Sequence, residues 1–181
     1  MPLERNPCFS GRETELTQLR QVLKREGRAG VSQVQAIAGL GGVGKTQTAL
    51  EYACRYYYDV PDAEQYQAVF WIRVDTEQAI QSGYQQIAEE LGLPQAEAQD
   101  LGITQDPEVI VQAVKRWLAQ HSGWLLVLDN ADQPEVVEGY LPKQGQGHVL
   151  ITSRVQDLQR LGVVRSLNIE KIEQEEAKEY I

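Results

Sequence analysis

Apolar and polar positions along this chain follow two rhythms, one helical and one of short apolar runs, and the two take turns. Leu16, Leu19, Val22 and Leu23 fall at helical spacing and predict a helix from about Arg12 to Arg25, ended by Gly27-Arg28-Ala29-Gly30. Val31 to Ala38 turns apolar at its end and predicts a buried strand; Ala49, Leu50, Ala53, Cys54 and Tyr57 then predict a helix over Gln47 to Tyr58. Beyond the break at Pro61-Asp62, Gln67 to Asp75 is rich in β-branched and aromatic residues and predicts a second strand. Thr76 caps a helical face of Ala79, Ile80, Tyr84, Ile87, Ala88 and Leu91 that runs to about Gly92.

Pro94 to Gln105 reads as a long polar connection, and Asp106-Pro107-Glu108 is a helix start. Val109, Val111, Val114, Trp117 and Leu118 carry that helix to about His121. Trp124 to Asp129 is a continuous apolar run that ends in an acid, the pattern of a central parallel strand. Pro134 to Tyr140 predicts a short helix, His148 to Arg154 a fourth strand, and Asp157 to Gly162 another short helix. Val163 to Ile169 predicts a fifth strand, and Glu173 to Lys178 opens a last helix. Strand and helix alternate five times, which predicts an α/β fold: a five-stranded parallel sheet flanked by helices on both faces.

The 181 residues fit one domain, with an N-terminal loop and helix over 1–30 and a core over 31–181. A net charge of −9 argues against nucleic-acid binding through the bulk surface. No apolar run approaches the roughly 20 residues that span a bilayer, and Met1-Pro2-Leu3-Glu4-Arg5 lacks the apolar core of a secretion signal. Cys8 and Cys54 make no disulfide framework. The expectation is a cytoplasmic protein without membrane or nucleic-acid partners.

Between the first strand and the second helix stands Gly39-Leu40-Gly41-Gly42-Val43-Gly44-Lys45-Thr46, which matches the phosphate-binding loop G-x-x-x-x-G-K-[ST]. The glycines permit backbone angles that turn successive N–H groups inward on a phosphate chain. Lys45 would set a point charge near the β- and γ-phosphates, and the Thr46 hydroxyl would ligate Mg²⁺. The helix that follows adds the positive end of its dipole. Strand, glycine loop and helix come in the order this chemistry requires, so the sheet is expected to be the three-layer sandwich of P-loop NTPases. The candidate nucleotide-binding set in the loop is Gly41, Gly42, Val43, Gly44, Lys45, Thr46 and Gln47.

Asp129, at the C-terminal end of a central strand, lies where open α/β sheets bind ligands and could hold Mg²⁺ with Thr46. A strand-ending aspartate that caps a turn is the plain alternative. Arg154, at the tip of the fourth strand, could fork onto a γ-phosphate or simply be exposed. Arg12 is open in the same way, a functional cation or an exposed helix-start residue. His121 and His148 lack the spacing of metal or triad chemistry. One strand separates the glycine-loop strand from the Asp129 strand in sequence, which fits P-loop folds with another strand inserted between the two.

In order, these stretches resemble the NB-ARC nucleotide-binding domain of the STAND class of signalling ATPases. Phe9-Ser10-Gly11-Arg12-Glu13 looks like the family's G-R-E motif, near the adenine end, and Gly39 to Thr46 is similar to its phosphate loop. Val69-Phe70-Trp71-Ile72 looks like its second strand, Leu125 to Asp129 its acidic strand, and Ile151-Thr152-Ser153-Arg154 its T-[ST]-R sensor. The resemblance implies binding of ATP and ADP, with Arg12 near the base and Arg154 sensing the γ-phosphate. Lys45, Asp129 and Arg154 would then serve hydrolysis, and Thr46 and Asp129 would hold Mg²⁺.

Two departures qualify it. Where a second acid often follows the metal-binding aspartate, this chain has Asn130, with Asp132 two residues on. Asparagine orients water but is no proton acceptor, so slow turnover is expected unless Asp132 takes the role. The family also continues into a helical domain with a G-L-P-L motif and a winged-helix domain, neither of which follows Ile181. The chain therefore reads as a nucleotide-binding core, with weakened affinity expected and self-association reserved for the full-length protein. Two functions stay in view: a slow ATPase, and a non-hydrolysing nucleotide-dependent interaction or oligomerisation scaffold. A metabolic P-loop kinase finds no lid-like arginine cluster.

Overall fold

A computed structural model describes residues 4–25, 32–93, 106–163 and 166–170. In chain order the elements are α1 (Glu13–Arg25), β1 (Gln33–Ala38), α2 (Lys45–Cys54), β2 (Ala68–Arg73), α3 (Glu77–Glu90), α4 (Pro107–Gln120), β3 (Ser122–Asp129), α5 (Pro134–Val137), β4 (Gln146–Ser153) and β5 (Leu167–Asn168). All strands pair in parallel, in the spatial order β2-β3-β4-β1-β5. β4 is the strand inserted between β1 and β3.

Side-chain alternation along each strand divides the core between the two faces of the sheet. Leu125 and Val127 of β3, Ile37 of β1 and Leu150 of β4 pack with Leu16 and Leu19 of α1 and Ala49 and Ala53 of α2. Leu126 and Leu128, Val149 and Ile151, and Phe70 and Ile72 face the other way, onto Ile80 and Tyr84 of α3 and Val114 and Leu118 of α4. The result is helix layer, sheet, helix layer. Thr76 accepts from the Ala79 amide and caps α3; Asp106 accepts from the Glu108 amide and caps α4, which has proline in its first turn.

Several boundaries differ from the sequence expectation. α2 begins at Lys45 rather than Gln47, because Gly44 (φ 95°) already caps it, and its far end widens into a π-helical turn over Arg55–Asp59. β4 ends at Ser153, which leaves Arg154 just past the strand, and β5 is Leu167–Asn168, with 164–165 of its expected span outside the described residues. The segment from Asp157 to Gly162 forms only a 3-10 turn, Gln159–Leu161. The connection over 94–105, the helix expected over 173–178 and the start of the first strand at Val31 lie outside the described residues.

Trp124 is fully buried, its indole N–H donating to the carbonyls of Leu118 and His121. The room for it is glycine. A Cβ on Gly147 would stand inside contact distance of the ring, and one on Gly145 would lie 2.6 Å from the Leu118 oxygen. Replacing Gly147 by alanine should therefore destabilise the fold by about 2–3 kcal/mol. Gly139→Ala, where an added Cβ meets nothing within 4 Å, should stay within about 0.5 kcal/mol in urea unfolding.

A polar chain runs Tyr52, Tyr66, His148: the two hydroxyls are 3.0 Å apart, and the Tyr66 hydroxyl and Nδ1 of His148 share a hydrogen bond of 2.6 Å. Arg20 lies over the rings of Tyr56 and Tyr66. Burial, and then the charges of Arg20 and Lys24, push the His148 pKa down from 6.5 to about 4. The folded state thus favours neutral His148, and unfolding takes up a proton between these two values. Stability from this group is present above pH 6.5 and is lost as pH falls towards 4. Urea melts at pH 7 and pH 5 should show a loss in the unmutated chain that shrinks in His148→Gln.

Candidate functional site

The sheet order brings three strand ends to one edge. Ala38 of β1 stands in register with Ser153 of β4, and Leu128 of β3 with Ile151 of β4, so the turns leaving β1, β3 and β4 open side by side. After β1 comes the glycine loop. Gly42 (φ 77°) and Gly44 (φ 95°) occupy left-handed backbone that a side chain would strain, and the Gly44 carbonyl accepts from the Thr48 amide and hydroxyl. Gly39 (φ 155°) is fixed by space as well, since a Cβ there would collide with the Ile169 carbonyl.

Lys45 folds back over its own loop, its Nζ donating to the carbonyls of Gly39 (2.9 Å) and Leu40 (2.7 Å). Burial holds this ammonium below the ordinary lysine range; Asp132 and Asp129 oppose that shift, and Arg154 adds to it. All three charged residues therefore act on Lys45.

The next residue makes the central contact of the site. Thr46 Oγ1 donates to Asp129 Oδ1 at 2.8 Å, and Thr152 Oγ1, fully buried in β4, donates to the same oxygen at 2.5 Å. The Asn130 amide in turn donates to Thr152 Oγ1 at 2.9 Å. Asn130 sits in the left-handed region (φ 70°), where asparagine is among the better-tolerated residues, and its side chain is exposed. Among the described residues no group of three or more His, Cys, Asp or Glu side chains gathers as a metal cluster. One hydroxyl and one carboxylate are nonetheless hard oxygen donors from two elements, a set that fits Mg²⁺ completed by water and phosphate oxygens.

Arg154 lies across from this turn and is paired to Asp132. Its amide donates to Oδ1 at 2.7 Å and its Nε to Oδ2 at 2.5 Å. Burial works to raise the Asp132 carboxyl, but these bonds, the Arg154 charge and the Ser153 hydroxyl outweigh it and hold the group below the ordinary carboxylate range. Asp132 is thus an ionised ion-pair partner and a weak proton acceptor.

Arg12 is neither exposed nor free. It adopts φ 66°, its carbonyl accepts from the Leu16 amide at the start of α1, and its guanidinium donates to Glu15 (2.9 Å), to the Val43 carbonyl (3.5 Å) and to the Glu170 carbonyl. It braces the phosphate loop between α1 and the segment after β5. Gly41 to Thr46, Asp129 and Arg154 come together at the sheet edge, and Arg12 braces the loop through the Val43 carbonyl. The sequence reading missed Thr152 as a donor to Asp129, and took Asp132 for a stand-in base rather than the partner of Arg154. The hydroxyls in T-S-R were the available signal.

No helix among the described residues is long and apolar enough to cross a membrane. Solved structures share the architecture. Cdc6p from Pyrobaculum aerophilum superposes with a TM-score of 0.68 at 16% identity, over 97% of this chain and 49% of that one. The ORC2 protein of Aeropyrum pernix, solved in ADPNP-ADP complexes, gives 0.61 at 17% identity over 97% of this chain and 52% of its own. The ORC1 protein of the same organism, solved with DNA, gives 0.59 at 18% identity, over 99% of this chain and 50% of its own. At such identities the likeness establishes the fold.

A nucleotide-binding leucine-rich repeat (NLR)-like protein of Hyaloscypha variabilis is 32% identical over 172 residues. That match covers 85% of this chain and 16% of the relative, so the chain spans a small part of that protein's length. The NB-ARC domain model matches residues 12–180, nearly the whole chain from the Arg12 brace onward. With the glycine loop, the acidic strand end and the Arg154 turn at one sheet edge, the chain belongs to the NB-ARC domain family and is a P-loop nucleotide-binding module.

Proposed function

We propose that this module binds ATP and ADP with Mg²⁺ as the switch element of a longer signalling protein of the STAND class, and that it hydrolyses ATP slowly. The observation that carries this reading is the Thr46–Asp129 contact of 2.8 Å beside the curled Lys45. The loop amides from Gly41 to Gln47 would cradle the phosphates. Lys45 would exchange two neutral carbonyl partners for charged phosphate oxygens, which add the attraction of opposite full charges to the hydrogen bond. Mg²⁺ held by Thr46 and Asp129 would neutralise charge on the β- and γ-oxygens. Asp129 and Thr152 would fix the orientation of Thr46, and Arg154 would respond to the γ-phosphate. Arg12 would hold the loop wall at the base end.

Slow turnover follows from the residues near the attacking water. Asn130 orients water without taking its proton, and Oδ1 of Asp132 stays bonded to the Arg154 amide and the Ser153 hydroxyl, which keeps that carboxyl a weak proton acceptor even when the guanidinium leaves it. The same observation favours the second reading, a nucleotide-dependent scaffold with no turnover. Parent-protein self-association and the helical and winged-helix domains expected of it belong to this proposal.

Two measurements test it. In calorimetry the chain should bind Mg-ADP and Mg-ATP in preference to Mg-GTP, and Lys45→Ala should weaken binding about 10-fold or more. Absence of binding by every nucleotide, in this chain and in a longer one, would sink the proposal. In a multiple-turnover phosphate-release assay, Asn130→Asp keeps a residue that tolerates the left-handed turn and should raise the rate about 10- to 100-fold. An unchanged rate that is already brisk would refute the explanation from Asn130; no turnover in either form would leave the scaffold reading.

A further inference from the structure

Asp132 and Arg154 form an unequal pair. The Asp132 side chain is 17% exposed, and its backbone is pinned where its own amide donates to the Asn130 carbonyl. The Arg154 side chain is 64% exposed, so the acid is fixed in the fold while the cation is within reach of solvent. Oδ1 of Asp132 also accepts from the Arg154 amide and from Ser153 Oγ (3.3 Å), contacts that persist if the guanidinium swings away from Oδ2. Release of Arg154 is therefore a side-chain rotation that leaves the turn intact. Ser153, which precedes Arg154, stands in register with Ala38, which precedes Gly39, and this places the pair beside the phosphate loop. Among the described residues Asp132 is the acid paired with the Arg154 guanidinium.

Two anions can thus compete for one guanidinium, the carboxylate of Asp132 and a terminal phosphate. Resting on the nucleotide-switch reading above, we infer that Asp132 is a specificity-determining residue: it withholds Arg154 and so biases the module towards the nucleoside diphosphate. A triphosphate has to draw Arg154 off Asp132 and loses affinity accordingly; a diphosphate leaves the pair untouched. The withheld cation lowers apparent triphosphate affinity by the fraction of molecules in which it is engaged elsewhere. Unequal binding of this kind is what lets a nucleotide shift a two-state equilibrium.

The test is a titration of the chain with Mg-ADP and with a Mg-bound non-hydrolysable ATP analogue. Asp132→Asn keeps an oxygen for the Arg154 amide and the Ser153 hydroxyl while removing the charge. It should tighten analogue binding about three- to tenfold and leave ADP within about twofold, the range of a partly exposed ion pair closed by one charge-assisted hydrogen bond. In an Arg154→Gln background the same substitution should bring no selective gain, because nothing is left to release. A gain equal for both nucleotides, or one that survives in Arg154→Gln, would show Asp132 acting as bulk charge and overturn the inference. So would a loss of analogue affinity, which would make Asp132 a support that presents Arg154. If the unmutated chain binds neither nucleotide, the switch reading falls and the inference with it; the other outcomes leave that reading standing. A measurement on the unmutated protein guards against an unfolded variant. The Arg154 Nε–H resonance, assigned by its loss in Arg154→Gln, should move with the analogue and stay in place with ADP; movement with neither overturns the inference.

Discussion

Asp129 is the point on which this site closes. A carboxylate that is 8% exposed at the end of a central strand needs donors, and it finds two hydroxyls on one oxygen: Thr46 from the first turn of α2 and Thr152 from β4. Three elements are thereby joined at one atom. The contact exists only because β4 lies between β1 and β3, so that the glycine loop and the acidic strand end face each other across it. Asn130 extends the arrangement, since its amide bonds the same Thr152 hydroxyl and its left-handed backbone redirects the chain towards Asp132.

The position of Thr46 is set from the other end of α2 as well. Glu51, with a side chain only 5% exposed, receives Arg5 through two nitrogens and Arg55 through a third; Arg55 grips Glu13 and Arg5 reaches Asp59. A buried acid without partners would destabilise the fold, and two arginines on one carboxylate remove that problem while tying the N-terminal arm, the start of α1 and the back of α2 together. Thr48 through Cys54 are buried throughout, with Ala49 and Ala53 letting the helix approach the sheet. The phosphate loop is thus the entry to a helix anchored along its length, braced from the side by Arg12.

What the sequence made legible was what depends on neighbours in the chain. The place of the glycine loop between strand and helix, the apolar run of β3, the cap at Thr76 and the helix start at Asp106 follow from local spacing and residue type, and the structure has each of them there. The role of Arg12 was not readable, because a guanidinium at a helix start carries no sign that its backbone is left-handed or that Val43 and Glu170 will surround it. Thr152 and Asp132 were missed for a related reason. Their partners, Asp129 and Arg154, are 23 and 22 residues away, and which strand ends adjoin is decided by sheet order. Glu51 was hidden in the same way, as an acid amid the small apolar residues of α2 with its first arginine 46 residues upstream.

The two cations of the site differ in what holds them, and that difference has a consequence. Lys45 rests on two neutral carbonyls, partners that a charged phosphate oxygen outcompetes because it adds the attraction of opposite full charges to the hydrogen bond. Arg154 rests on an ionised carboxylate, so a neutral or weakly charged ligand group cannot remove it. On the proposed reading, the lysine is available to every nucleotide that fills the loop, and the arginine answers only to a group with charge to match Asp132. Binding and sensing are then separated by the strength of the partner each cation must leave. The separation needs no movement of the sheet, because both cations leave the edge on flexible stems while Asp129, Thr152 and Asp132 stay bonded to the strand ends that carry them.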